Sequence, residues 1–331
     1  MNQERESKQM DKRMKSICIV IPYLGKWPRW FSIYLETCRY NSTINWLFFT
    51  DCSAPKGINQ NIKFLKMDLR DFNSLASKKL GLKVNVKNSY TYKLVDFKPA
   101  YGIIFEDYLN KYDFWGYSDI DVIYGDIRKF VTSDMLETYD VITAKKEYLV
   151  GHFTLYKNCD KINKLYQKTR DYKRVFIHTE KGYNFCECSK DWKNLRQGGS
   201  IFAKRSIKEN VPYLIKHGMN RVFELLRCRG NFLLTREDES MTECVKRLEK
   251  EGYLKSFFKT IGTEDFMKLQ KEGNWKVYWN KGELTDTQSG DEFMYFHLLG
   301  LKRKKQFIIP QWHKIPENFF ITKEGFFEGQ E

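Results

Sequence analysis

Asp119 and Asp121, separated by Ile120, are the residues whose types and spacing point most directly to chemistry. In extended backbone, residues i and i+2 project to the same side, so both carboxylates face one spot. Two carboxylates that close repel unless positive charge lies between them. A hard divalent cation with oxygen ligands, Mg2+ or Mn2+, suits the arrangement and keeps open positions for phosphate oxygens. The tripeptide alone is a weak signal, because a chain of 331 residues holds about one Asp-x-Asp by chance. The bland reading is a solvated acidic turn. The setting argues against it: this Asp-x-Asp stands alone in the sequence, directly after Phe114-Trp115-Gly116-Tyr117-Ser118 and directly before Val122-Ile123-Tyr124-Gly125. An acidic pair set in apolar sequence is costly to bury without a partner.

Other candidates are sparser. His297 closes an apolar run over 291–298. Such a histidine is usually a satisfied core residue, but imidazole also ligates Mn2+. His152, His178, His217 and His313 have no metal-ligand spacing. His152 could line an acceptor site, with a structural role the simpler reading. Cys186-Glu187-Cys188 is the nearest approach to a cysteine metal pair. No second Cys or His pair accompanies it, so the eight cysteines read as free, mostly buried thiols in a reducing compartment. No Ser-His-Asp order, P-loop, G-x-G-x-x-G or H-E-x-x-H pattern occurs. Trp27, Trp30, Trp115, Trp275, Trp279 and Trp312 could stack on sugar rings, although most tryptophans in so aromatic a chain fill the core.

The elements that must position these residues follow a βα rhythm over the first 150 residues. The β-branched run at 17–21, ended by Pro22 and Gly25, reads as a strand buried on both faces of a parallel sheet. Residues 30–40 have helical spacing, 45–50 read as a second strand ending at Asp51, and 62–67 as a third. A helix over 71–80 stops at Gly81, and Pro99 opens another that runs to about 109. Residues 114–117 form the strand that delivers Asp119 and Asp121 to its carboxyl end, where open α/β sheets bind ligands. Extended structure resumes at 141–143 and 148–156. Beyond 157 the order weakens: 159–172 and 241–251 look helical, and 275–279 with 283–285 suggest a hairpin around Asn280-Lys281-Gly282. The tail reads as loop-like.

Hydrophobic residues make up 42% of the chain and aromatics 16%, enough for a sizeable core. No apolar run reaches the roughly 18 residues of a membrane span, and residues 1–15 are polar with no signal-like apolar stretch. The expectation is a cytoplasmic protein, with 1–15 as a flexible arm. One domain spans 16–310, divided into a half at about 16–157 and a second at about 158–310, with a tail over 311–331. The net charge of +15 suits an anionic partner. Lysines and arginines are nevertheless spread along the chain, Lys302-Arg303-Lys304-Lys305 being the nearest thing to a cluster, and no nucleic-acid recognition module is visible.

The stretch Tyr112-Asp113-Phe114-Trp115-Gly116-Tyr117-Ser118-Asp119-Ile120-Asp121-Val122-Ile123-Tyr124-Gly125-Asp126 resembles the signature of a bacterial group of glycosyltransferases with the GT-A fold, found in surface-polysaccharide gene clusters. Asp96-Phe97-Lys98-Pro99-Ala100-Tyr101-Gly102 resembles its companion motif, and Ile19-Val20-Ile21-Pro22-Tyr23-Leu24-Gly25 resembles the first strand and nucleotide-contacting loop of GT-A enzymes. The resemblance covers roughly the first half of the chain. It implies a GT-A-like, Rossmann-like α/β fold with a mostly parallel central sheet flanked by helices and a less regular C-terminal part. It also implies that Asp119 meets the metal or donor ribose, that Asp121 is the firmer ligand, and that Pro22, Tyr23 and Asp51 lie near base and ribose. Lys98 would meet donor phosphate or sugar. His297-Leu298-Leu299-Gly300-Leu301-Lys302 is similar to the C-terminal motif of glycogenin-type retaining enzymes. That likeness implies His297 as a metal ligand, with Gly300 and Lys302 at the diphosphate; one residue of spacing before the lysine and a following Pro-Trp are not matched.

The reading is a metal-dependent glycosyltransferase using a nucleotide-sugar, UDP-linked by the resemblance, with Mn2+ or Mg2+, on a glycan or lipid-linked acceptor. Peripheral contact with an anionic membrane suits the charge. An inverting base would be a carboxylate across the acceptor, and Glu187, Asp191 and Asp238 remain equal candidates. The alternatives are a metal-dependent nucleotidyltransferase or phosphodiesterase, which needs further carboxylates or a glycine-rich phosphate loop, a basic nucleic-acid-binding protein, and a non-catalytic sugar-binding module.

Overall fold

A computed structural model describes residues 13–179, 182–187, 239–262 and 275–329. Along the chain come β1 (Ile17–Tyr23), helix α1 (Phe31–Tyr40), β2 (Ile44–Thr50), β3 (Ile62–Lys66), helix α2 (Leu69–Leu80), β4 (Phe114–Ser118), β5 (Val122–Tyr124), β6 (Val141–Thr143) and β7 (Phe153–Lys157). After them follow a helix at Met241–Lys250, β8 (Ser256–Phe258), β9 (Val277–Asn280), β10 (Glu283–Asp286), β11 (Tyr295–His297), β12 (Asn318–Ile321) and β13 (Phe326–Glu328).

The central sheet has the order β3-β2-β1-β4-β7-β6-β8. β1 pairs in parallel with β2 and β4, β2 with β3, and β6 with β8. Only β7 runs against its neighbours β4 and β6. The expected mostly parallel α/β sheet is therefore present. β1 shows why its sequence is continuously apolar. Cys18 and Val20 pack into a layer with Phe72 and Ala76 of α2 and with Cys244 and Val245. Ile17, Ile19 and Ile21 pack into the opposite layer with Phe31, Tyr34 and Cys38 of α1. With both faces covered, every residue of the strand core must be apolar, and each such burial contributes about 1.5–3 kcal/mol.

α2 starts two residues earlier than its apolar spacing suggests because Asp68 and Asp71 form a capping box. The Asp68 carboxylate accepts from the Arg70 and Asp71 amides, and Asp71 accepts from the Asp68 amide. Gly81, at φ +64°, ends it as expected. The hairpin β9–β10 also turns where the sequence places it, through Lys281 and Gly282 at φ +46° and +92°. These values suit the primed turns that match strand twist.

Three expectations fail. Pro99 does not open a helix; it lies inside a run of 3-10 turns over Asn88–Ala100, after which the helix breaks at Phe105 into Tyr101–Ile104 and Glu106–Leu109. The segment 159–172 is likewise short turns, Asp160–Asn163 and Leu165–Lys168, rather than one helix. The stretch after 311 is not loop-like. β12 and β13 join β9 and β10 in a four-stranded antiparallel sheet, burying Phe319, Ile321 and Phe326 against Trp279 and Leu284. Burial alternates along Asn318–Ile321, with Phe319 and Ile321 on the covered face.

Two-stranded pairing of β5 with β11 joins the first half of the chain to the C-terminal part. Among the described residues no helix is long and apolar enough to cross a membrane.

Candidate metal centre

The acidic pair occupies the turn between β4 and β5. Ser118 fixes that turn: its hydroxyl donates to the Asp119 carbonyl at 2.6 Å and pairs with the Tyr124 hydroxyl at 2.7 Å. The Trp30 indole N–H donates to the Ile120 carbonyl at 2.9 Å. Antiparallel pairing sets His297 opposite Val122, and the Leu298 amide donates to the Asp121 carbonyl at 2.9 Å. Residues 176 positions apart are thereby held in register.

His297 Nε2 lies 3.2 Å from Asp121 Oδ2. One ligand atom from each of Asp119, Asp121 and His297 falls within 4.8 Å of the others. The Asp121 side chain is 6% exposed and that of Asp119 is 38% exposed, so one carboxylate is walled in and the other opens to solvent. Both are paired to lysines. Lys98 Nζ donates to Asp119 Oδ1 at 2.5 Å and to the Gly151 carbonyl at 2.6 Å. Lys302 Nζ contacts Asp121 Oδ2, the oxygen that faces His297.

Electrostatics follow from these contacts. Burial pushes the Asp121 carboxyl up, but His297 and Lys302 outweigh it and hold the group far below the usual carboxylate range. Burial likewise opposes the charge on Lys98, yet Asp119 restores it and raises the ammonium above its ordinary value. His152 is buried behind the cluster with its ring 4.2 Å from that of His297 and its Nε2 2.9 Å from the Tyr295 hydroxyl. Burial, and then His297, push it well below the ordinary imidazole range, so it is neutral near pH 7.

Two carboxylate oxygens and an imidazole nitrogen are a donor set for Mn2+ or Mg2+. Ligand bonds of about 2.1 Å place opposite ligand atoms about 4.2 Å apart across one ion, and the three atoms here all lie within 4.8 Å of one another. The residues fit a divalent cation.

On the same sheet edge, Pro22 and Tyr23 end β1 and Asp51 follows β2. Asp51 Oδ1 accepts from the Gly25 amide at 2.8 Å, and the Tyr23 ring stacks on Trp27. A cleft of about 380 Å³ opens there, lined by Leu24, Gly25, Asp51, Asp68, Arg70 and Asn88 among others. Gly300 lies in the turn before Lys302 at φ −70°, and a Cβ there would meet nothing within 4 Å. Neither backbone nor packing requires glycine at that point.

A family model described as "Family of unknown function (DUF6625)" matches residues 19–330. The chain belongs to this family. No curated protein matches it. Among solved structures it is similar to the galactosyltransferase LgtC in complex with donor and acceptor sugar analogues, at 12% identity over 50% of this chain and 67% of that one, with a TM-score of 0.29. An active-site mutant of LgtC gives 12%, 50%, 66% and 0.29. At that TM-score the likeness fixes neither fold nor chemistry, and both rest on the strand order and side-chain geometry above.

Within this member of the DUF6625 family the sequence pairs Asp119 with Asp121 but does not foretell which cation neutralises each. Glu187, one of three candidate bases, accepts from the Gly151 amide at 2.7 Å and the Asn184 side chain at 3.0 Å. Asp191 and Asp238, with His217 and Cys188, lie outside the described residues. His152 is a buried neighbour of His297 rather than an exposed acceptor contact. His178 Nδ1 pairs with the Tyr183 hydroxyl. Trp30 and Tyr295 were legible only as aromatics, since their roles depend on contacts across 90 and 143 positions.

Proposed function

We propose that this protein is a metal-dependent glycosyltransferase that takes its sugar from a nucleotide diphosphate donor, a UDP-sugar by the sequence resemblance. The observation that carries the reading is the meeting of Asp119, Asp121 and His297 at the carboxyl end of β4, with Lys302 alongside. Ligands of open α/β sheets bind at that edge. The cleft beside Asp51 lies two strands away, at the end of β2, which is roughly 10 Å at about 4.8 Å per strand. A nucleoside seated there would extend its diphosphate toward the acidic pair.

Asp119, Asp121 and His297 would hold Mn2+ or Mg2+, which when bound supplies Lewis-acid stabilisation of charge on the diphosphate. The chain's own residues divide the remaining work. Pro22, Tyr23 and Asp51 position the nucleoside. Gly300 leaves open space in front of the backbone where phosphate oxygens can approach, and Lys302 supplies a charge to them. Lys98, fixed by Gly151, orients Asp119. The +15 net charge suits a glycan or lipid-linked acceptor of surface polysaccharide at the inner face of an anionic membrane. Salt-sensitive sedimentation with anionic vesicles is the expected sign, and indifference to vesicles at low salt would remove that part.

The test is calorimetry of UDP and a panel of UDP-sugars with and without Mn2+, against Asp121→Ala. Metal-dependent binding that vanishes in the variant is expected. Failure of every nucleotide diphosphate to bind, with metal present, overturns the donor assignment.

A further inference from the structure

The two lysines at the centre are not equivalent, and the difference bears on how a cation enters. Lys98 is 7% exposed in its side chain and held at two points, Asp119 and the Gly151 carbonyl. Lys302 is 25% exposed in its side chain and donates to Asp121 Oδ2. That oxygen also faces His297 Nε2 at 3.2 Å, so the ammonium sits on the carboxylate oxygen nearest the imidazole.

The backbone beneath Lys302 is pinned while a quarter of its side chain is exposed. Leu298 and Leu301 are fully buried, and the Leu301 amide donates to the Leu298 carbonyl at 2.8 Å. Between them Leu299 sits at φ +34°, a conformation that costs a non-glycine residue energy and in folded proteins is concentrated at ligand sites. Gly300 beside it faces open space. The Lys302 ammonium already lies 5.8 Å from the Trp30 ring centroid, within cation–π range, and Trp30 is tethered through Ile120.

Charge balance completes the argument. Asp119 and Asp121 carry two negative charges, and Lys98 and Lys302 carry two positive ones. A divalent cation arriving alone leaves the centre two charges positive. If it arrives with a diphosphate, the displaced ammonium gains an anionic partner and the balance returns.

We infer that Lys302 is an exchangeable internal counter-ion of Asp121, which the cation must displace and which the ligand's diphosphate then receives. Cation and diphosphate therefore bind cooperatively, each weakly without the other. This rests on the metal-site reading above and adds the control of that site. Coupling between two ligands of one site of this kind is typically 5–150-fold in affinity.

The experiment measures Mn2+ affinity of the full chain by calorimetry, with Mn2+ alone and then with saturating inorganic pyrophosphate. It compares wild type with Lys302→Met and Lys302→Gln, and uses Asp121→Asn as the metal-site control. Thermal melts establish that each variant is folded. Wild type is expected to bind Mn2+ alone weakly and at least about fivefold more tightly with pyrophosphate. Both Lys302 variants are expected to bind Mn2+ alone about tenfold more tightly than wild type and to lose most of the pyrophosphate effect. If they bind Mn2+ alone no better than wild type, while Asp121→Asn abolishes binding, the counter-ion inference is overturned and the metal site stands. If wild type binds no Mn2+ even with pyrophosphate, both are overturned.

Discussion

Replacing Asp96 by alanine should destabilise the protein by about 3–5 kcal/mol, the range for breaking a buried ion pair from one side. The Asp96 and Lys93 side chains are both fully buried, with Lys93 Nζ 2.8 Å from Asp96 Oδ2. The carboxylate also accepts from the Tyr183 amide at 2.8 Å and the Phe185 amide at 3.0 Å. Alanine leaves the Lys93 ammonium with the Val175 carbonyl at 2.7 Å and the face of the Tyr183 ring, and it strands two backbone N–H groups. Unfolding entropies of about 2.1 cal/mol/K per residue, over a chain of 331 residues, convert that loss to about 4–7 °C in Tm. The double change Asp96→Leu with Lys93→Met removes the stranded charge and should recover part of the loss. The Tyr183 and Phe185 amides stay unpaired, so about 1–3 kcal/mol should remain. Calorimetric melting of wild type, the single variant and the double variant gives each figure. A single variant melting within about 1 °C of wild type would refute the reasoning, since no buried charge could then have been abandoned. Because Lys98 follows Asp96 by two residues, the single variant should also weaken Mn2+ binding.

Acid titration provides a second check. Burial opposes ionisation of Asp113, but hydrogen bonds from Ser16 and the charges of Arg13 and Lys15 outweigh it and lower its pKa. Its contribution is therefore complete above the unfolded value of about 3.9 and lost as pH falls through the folded one. Asp113→Asn should cost about 1–2 kcal/mol at pH 7 and progressively less below pH 4 in urea titrations; an equal gap at pH 3 would contradict the assignment. Gly116→Ala should destabilise by about 1–3 kcal/mol, because a Cβ would lie 2.5 Å from the Thr154 carbonyl oxygen. Gly300→Ala should leave Tm within about 1 °C, a Cβ meeting nothing there, yet weaken pyrophosphate binding several-fold by filling the space before the turn. Mn2+ with UDP, at 100 times its Kd, should stabilise by about 2.7 kcal/mol, about 4 °C in a melt, and EDTA should reverse the shift.

The parts legible in the sequence are those whose signals are local. β1 announces itself because a strand covered on both faces has no polar position, α2 because Gly81 must take a left-handed turn, and the β9–β10 hairpin because Lys281-Gly282 suits a two-residue connection. Asp119 and Asp121 were legible for the same reason, as neighbours at a strand end. What stayed hidden depends on pairing between distant segments. His297 was joined to the acidic pair only through the resemblance of its motif, because its contact with Asp121 runs through the β5–β11 register, which nothing in either segment announces. Lys98 was placed near the donor, but its bond to Gly151 depends on the antiparallel β7, which local apolar runs do not distinguish from a parallel strand. Pro99 misled because a proline suits a first helical turn and a 3-10 run equally. β12 and β13, of four and three residues, are too short for alternation to stand out from loop.

The β5–β11 ribbon also sets a clock on the newborn protein. A ribosome releases the chain from its N-terminus, so β1 to β4 can align while residues 295–302 are still unmade. Until that late segment arrives and docks along β5, the acidic pair lacks both His297 and the ammonium of Lys302. The Asp119–Asp121–His297 cluster therefore cannot assemble before residues 295–302 have been made, and a nascent chain halted before residue 295 would hold the acidic pair without His297 or Lys302.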